Sequence, residues 1–237
     1  MDALVAVAAI LAILLVLGAL AGLADRRNFA PGWLLVALLL VLVNDALLTS
    51  LYGLLPDAIG GGWNWQGKLL ALAASLGVAS LAAFGWRRVG LTVRQARGSL
   101  AASVPVALAY CGFFLAIALA FPGEGAGAED VAFQLTMPGL EEELFYRGVL
   151  LFAFDRALRG RVRFLGVDWG WGALLSSLAF GVAHAFGYSE GSFSLDWMIL
   201  ALTAVPSLLA VWLRLRTGSL LLPVVLHNFG NSIGFMA

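Results

Sequence analysis

The stretch GLEEELFYRGVLL, Gly139 to Leu151, sets three consecutive carboxylates and an arginine inside an otherwise apolar run. The surrounding chain has 237 residues, 62% of them hydrophobic and 12% charged, with a mean hydropathy of +0.95. That composition is too apolar for a soluble domain and typical of a polytopic membrane protein, so the expected fold is an all-α bundle in a single membrane domain. Charges cost several kcal/mol each to hold in hydrocarbon, so Glu141, Glu142, Glu143 and Arg147 require a reason to be there.

Outward from this stretch, apolar runs of about 20 residues mark candidate spans. Eight are found, at roughly 3–24, 32–55, 67–86, 99–121, 134–157, 169–188, 195–213 and 217–236. Residues 56–66, 122–130 and 187–194 are rich in turn formers, and the polar segment 87–98 is expected at the surface. The uncharged run from Ala3 to Ala24 is too long for a signal-peptide core and follows no basic stretch, so it is expected to be retained. Cys111, the single cysteine, forms no intrachain disulfide and reads as core filler. The zero formal net charge implies no general attraction for nucleic acid.

Aromatic and charged residues support these boundaries. All eight tryptophans (Trp33, Trp63, Trp65, Trp86, Trp169, Trp171, Trp197 and Trp212) fall at or near segment ends, where indole favours the headgroup region. Arginines follow segments one, three, five and seven, at 26–27, 87–97, 156–163 and 214–216. The intervening loops carry Asp57, Glu124, Glu129, Asp130, Glu190 and Asp196, with Lys68 the only base near them. The positive-inside rule then makes the odd-numbered loops cytoplasmic and both termini extracytoplasmic.

Few ionisable groups remain within the spans, and each is a functional candidate. They are Asp45, the glutamate cluster, Arg147, His184 and His227, the last two being the only histidines. Glu143 and Arg147 share a helix face, as do Phe180 and His184, and His227 and Asn231. Glu142 points about 100° away from Glu143, so the two are expected to serve different neighbours. At about 1.5 Å per residue, Glu142, His184, His227 and Asn231 fall at overlapping depths on three helices. A buried carboxylate can take a proton from water while imidazole and amide groups hold an oxyanion. Glu142, His184 and His227 could also ligate zinc, although the spacing is not HExxH and metal is not favoured. Taken one at a time, Glu143–Arg147 could be a structural ion pair and His227 with Asn231 could bridge helices. Glu141 is expected at the cavity mouth or in solvent, and Asn44 and Asp45 at helix packing, a water contact or a cavity wall.

Three stretches resemble the motifs of the CAAX protease and bacteriocin-processing family, also called CPBP or Abi. EELFYRG, Glu142 to Gly148, is similar to its EExxxR motif; FGVAH, Phe180 to His184, to FxxxH; and SLLLPVVLHNFGN, Ser219 to Asn231, to the final HxxxN. The resemblance covers 99–237 and leaves 1–98 without motifs. It implies an eight-helix intramembrane glutamic-type endopeptidase, related to the Ras-converting CAAX enzyme, that requires no metal. Glu142 would be the general base, helped by His184; His227 and Asn231 would hold the oxyanion; Glu143 and Arg147 would brace the helix, with Phe180 as the motif's aromatic. The partners implied are the lipid bilayer, of a bacterial plasma membrane, and a peptide or protein substrate within or at it. A non-catalytic scaffold or bacteriocin-immunity protein of the same fold is the alternative, and a small proton-relaying transporter a third.

Overall fold

The computed structural model describes residues 2–56, 58–122 and 125–236. Asp57 and Glu124, counted above among the loop acids, lie outside the described residues. The molecule is all-α, with two short antiparallel hairpins among the described residues.

Helix α1 runs over Asp2–Ala24. Helix α2, Pro31–Ala46, opens with proline in its first turn, where the missing N–H costs nothing, and continues through irregular turns to Leu54. Helix α3, Trp65–Ser80, is capped by the Asn64 carboxamide, which accepts from Gly67 N–H at 2.9 Å. Helix α4 spans Leu100–Ala120. The segment expected as one span over 134–157 is instead broken. Helix α5, Ala128–Gln134, stops at Leu135–Thr136, and α6, Met137–Glu142, restarts with Pro138 in its first turn. From Glu143 to Leu150 the backbone widens to i→i+5 hydrogen bonding before returning to regular α7, Leu151–Ala157. Such widened turns are rare and cluster at functional sites.

A hairpin of β1 (Val162–Phe164) and β2 (Val167–Trp169) leads to α8, Trp171–Ala185. A second hairpin, β3 (Phe186–Ser189) with β4 (Ser192–Leu195), occupies a stretch expected as plain loop. Helix α9, Trp197–Thr217, is capped by Asp196, which accepts from Ile199 N–H at 2.9 Å, and closed by Gly218 at φ 73°. Helix α10 is Leu221–Met236.

Four helical stretches among the described residues are long and apolar enough to cross a membrane: Asp2–Ala24, Pro31–Leu54, Leu100–Ala120 and Trp197–Thr217. The chain is thus membrane-integral by its helices, but helix length does not establish eight crossings. Helices α3 and α10 have 16 residues each and α8 has 15. At about 1.5 Å per residue they fall short of a hydrocarbon core of about 30 Å.

The arginine-rich loops meet one another. Arg159 donates to Arg27 O, Arg214 to Arg88 O at 2.7 Å, and Arg216 to Gly166 O at 3.2 Å. Backbone bonds join Ala30 to Ala157, Arg159 to Asn28, and Leu220 to Gly90. The basic loops therefore gather at one end of the bundle, the arrangement their charge pattern predicts.

The core runs through α1, α2, α7 and α8, around fully buried Leu14, Leu150 and Phe154. Small residues set the close crossings that position the site. A Cβ at Gly181 on α8 would come within 2.8 Å of Ala204 Cβ on α9. One at Gly139 on α6 would meet Asn228 Oδ1 at 2.4 Å and Val224 O at 2.7 Å on α10. Only glycine at residue 139 lets α6 approach α10 this closely.

Candidate active site

That close approach is fastened by Asn228. Its Oδ1 accepts from Gly139 N–H at 2.7 Å, and its Nδ2 donates to Thr136 O at 3.3 Å, across the break between α5 and α6. With α10 fixed there, the widened turn after Glu142 faces His227 one position before Asn228. A cavity of about 490 Å³ opens at this junction, lined among others by Glu142, Glu143, Arg147, Phe180, His184, His227 and Asn231. All seven sequence-selected residues thus border one space.

Their contacts separate them into two layers. In the deeper one, Glu143 is 1% exposed and Arg147 2% exposed. Arg147 Nη1 lies 3.1 Å from Glu143 Oε1, and the same oxygen lies 2.7 Å from His227 Nδ1. A carboxylate accepts, so the imidazole donates through Nδ1 and turns Nε2 to the cavity. The Arg147 guanidinium stacks 4.1 Å from the Phe180 ring centroid. That ring also lies edge-on to Tyr146, 5.0 Å away, and borders both imidazoles, at 4.5 Å for His184 and 5.9 Å for His227. Phe180 therefore covers the buried cation and walls the histidines.

In the outer layer stands Glu142. Its Oε2 has no hydrogen-bond partner and lies 3.5 Å from His227 Nε2 and 3.9 Å from His184 Nε2. His184 Nδ1 is 2.8 Å from the Phe180 carbonyl, which can only accept, so Nδ1 carries a proton and Nε2 faces Glu142. Three acceptor-capable atoms therefore converge on one point. A molecule with two O–H groups suits that point. Asn231, one turn beyond His227, lines the cavity beside it.

Two expectations are corrected. Glu142 and Glu143 do not serve separate neighbours: His227 reaches both, Glu143 through Nδ1 and Glu142 through Nε2, because the widened turn and α10 place the ring between them. Glu141 is neither solvent-facing nor at the cavity mouth. It is fully buried, and the Lys68 ammonium explains why, lying 2.7 Å from Glu141 Oε2 and 2.5 Å from Glu142 Oε1.

Sequence reasoning missed Lys68, placed among the outer-loop charges, and Asn228. The signals were present: Lys68 is the only lysine in the chain and stands at the head of an apolar run, and Asn228 directly follows His227. Asn44, 4% exposed, is buried on α2. Together with Asp45, Thr49 and Tyr146 it lines a second cavity of about 200 Å³. Lys68, Glu142 and His184 border both cavities, so they form the partition between them.

The rim of the larger cavity is tied across two loops. The Glu129 carboxylate accepts from Gly62 N–H at 2.9 Å and from the Trp65 indole at 3.1 Å. Asp130 accepts from the Trp63 indole at 2.7 Å, and Trp63 stacks on Phe133 with centroids 4.9 Å apart. The loop before α3 is thereby fixed, and with it the helix that delivers Lys68.

The cation against Glu142 is the Lys68 ammonium.

Residues 128–233 match the family model of type II CAAX prenyl endopeptidase Rce1-like proteins. An Escherichia coli protein described only as an uncharacterized 24.3 kDa protein is 32% identical over 144 residues, covering 55% of this chain and 60% of that protein. The match thus spans less than two thirds of that relative. No solved structure matches the chain.

Proposed function

Because residues 128–233 match the model of the Rce1-like CAAX endopeptidase family, we propose that this membrane protein is an intramembrane endopeptidase that activates water with Glu142. The observation that carries the reading is the bare Glu142 Oε2, facing the Nε2 atoms of His227 and His184 at 3.5 and 3.9 Å within the large cavity.

A water held between these atoms gives its proton to Glu142 Oε2 as its oxygen bonds to the scissile carbonyl carbon. The carbonyl π pair moves onto oxygen. That oxyanion is met by the Asn231 amide, while His227, held at Nδ1 by the Glu143 carboxylate, accepts the new Glu142 O–H through Nε2 and keeps it in place. The tetrahedral carbon then expels the amine, which takes the proton back from Glu142. His184 Nε2 accepts the water's second O–H and fixes its angle of attack. Lys68 already supplies positive charge at Glu142, and this route runs without a zinc ion.

The substrate class follows from orientation. If the arginine-rich end is cytoplasmic, both termini and the acidic loops Glu129, Asp130 and Glu190 are extracytoplasmic, and the cavity rim bearing Trp63 and Phe133 opens to that side. Exported or membrane-anchored peptides then fit better than cytosolic prenylated tails. The hydrogen bonds among the basic loops support this reading, and a reporter fused after residue 237 that reads as cytoplasmic would overturn it.

The decisive experiment profiles cleavage of a peptide library by the purified protein in detergent, with and without chelator. Chelator-resistant cleavage that Glu142→Gln abolishes is expected. Retained cleavage in Glu142→Gln removes the glutamate from the chemistry, and loss of cleavage with chelator alone replaces the proposal by a metal-dependent one.

A further inference from the structure

We propose that Lys68 and Glu141 act as a charge-balancing clamp that positions Glu142, with Lys68 the positioning residue and Glu141 its permanent counterion. The inference rests on the reading of Glu142 as the base.

The chain's single lysine enters from α3 with its side chain 12% exposed and bridges two adjacent carboxylates. It holds Glu142 by Oε1 alone, which leaves Oε2 turned toward the imidazoles. Lysine is a flexible point charge that extends toward water when it can. Here a second, fully buried carboxylate prevents that escape, because Glu141 Oε2 holds the same ammonium at 2.7 Å.

The charges around Glu142 can be counted by element. Glu141, Glu142 and Glu143 contribute three negative charges, and Lys68 and Arg147 two positive ones. His184 on α8 and His227 on α10 face Glu142, Tyr146 lies a turn away, and Asp45 borders the smaller cavity. Arg147 is committed to Glu143, and Glu141 shares Lys68. With neutral imidazoles one negative charge is left over for a proton, and of the three carboxylate oxygens without a hydrogen-bond partner (Glu141 Oε1, Glu142 Oε2 and Glu143 Oε2) only Glu142 Oε2 faces both imidazole Nε2 atoms. When Oε2 accepts the water's proton, the ammonium remains balanced by Glu141 and need not move. Without Lys68, two adjacent buried carboxylates would face each other, and one would hold a proton before catalysis began. Without Glu141, the ammonium would be free to swing and Oε1 would lose its fixed partner.

The test uses four variants of the full chain, Lys68→Met, Lys68→Arg, Glu141→Gln and the double Lys68→Met/Glu141→Gln, with Glu142→Gln as reference. On a cleaved peptide, Lys68→Met is expected to lose about 100-fold in kcat at nearly unchanged KM, the scale of a misplaced base. Lys68→Arg is expected to stay within about tenfold of wild type. The double variant, which restores the charge balance without restoring the grip on Oε1, is expected to recover about tenfold over Lys68→Met. A merely structural lysine would make the double variant no better than the single one. A second reading needs no substrate: Lys68 is the only lysine, so its acylation by an amine-reactive reagent is followed on a single peptide by mass. Low reactivity in wild type that rises several-fold in Glu141→Gln is expected, and equal reactivity overturns the clamp. If Glu142→Gln is inactive while Lys68→Met keeps wild-type kcat, only the clamp fails. If Glu142→Gln remains active, the catalytic reading itself fails.

Discussion

His227 Nδ1 lies 2.7 Å from Glu143 Oε1, the same oxygen that Arg147 approaches at 3.1 Å. One buried carboxylate thus braces a cation and aims an imidazole, coupling the architecture of the turn to the chemistry in front of it. Glu142, one residue earlier, takes no part in that bracing and lies on the cavity side.

Glu142 and Glu143 are therefore expected to separate on substitution. Glu143→Ala leaves Arg147 buried without its partner, a loss of about 3–5 kcal/mol for a broken buried pair. It should lower the thermal midpoint in detergent and abolish cleavage as well. Glu142→Gln should abolish cleavage and leave the midpoint nearly unchanged. Comparable destabilisation by the two substitutions would contradict this division.

The Phe180 ring lies between the Arg147 guanidinium and the His184 ring. Phe180→Leu keeps most of the apolar volume but removes the π face, worth about 1–2 kcal/mol for a desolvated cation. We expect moderate destabilisation and a fall in kcat larger than the change in KM, since both imidazoles lose a wall. Thermal unfolding and steady-state kinetics on the same preparation measure the two effects together.

The sequence made the site's main chemistry legible because intramembrane charges are scarce. Glu142, Glu143, Arg147, His184 and His227 stood out by cost alone, and three ordered motifs supplied their grouping. Lys68 was misread because one lysine at the edge of an apolar run looks like a loop charge until α3 is packed beside α6. Glu141 followed from that error, since without its ammonium a third carboxylate had no reason to be buried. The break at Leu135–Thr136 and the widened turn beyond it leave no hydropathy signal, because hydropathy reads length and not hydrogen-bond register. The hairpins at 162–169 and 186–195 were hidden because they fall almost wholly between apparent spans, in stretches with no hydropathy signal of their own.

Gly139 tests whether the α6–α10 approach sets the site. Gly139→Ala places a Cβ 2.4 Å from Asn228 Oδ1 and 2.7 Å from a backbone carbonyl, and the carbonyl cannot step aside as a side chain can. The helices must separate, at a cost of about 1–3 kcal/mol for overpacking, and cleavage should fall with stability. In Asn228→Ala the Gly139 N–H loses its acceptor, a cost of about 1–3 kcal/mol, without pushing the helices apart. Cleavage per folded molecule should therefore drop further in Gly139→Ala than in Asn228→Ala, measured after normalising to the folded fraction.

Asp130 gives the cavity rim a defined response to acid. The Trp63 indole N–H and then the Gly127 N–H, at 2.7 and 2.8 Å, hold this loop carboxyl below the usual carboxylate range. A carboxyl depressed in the folded state contributes its stabilisation above its unfolded value and loses it as pH falls through the lower folded value. The rim should accordingly stay closed from neutral pH through ordinary carboxylate titration and loosen only below it. The difference in tryptophan emission between wild type and Trp63→Phe, followed on acid titration, isolates this residue. It should stay flat until the pH is below the ordinary aspartate range, whereas a change centred on that range would mean the indole bond does not form. Asp130→Asn keeps an acceptor for the indole but lacks the charge, and should remove the acid transition while leaving kcat unchanged.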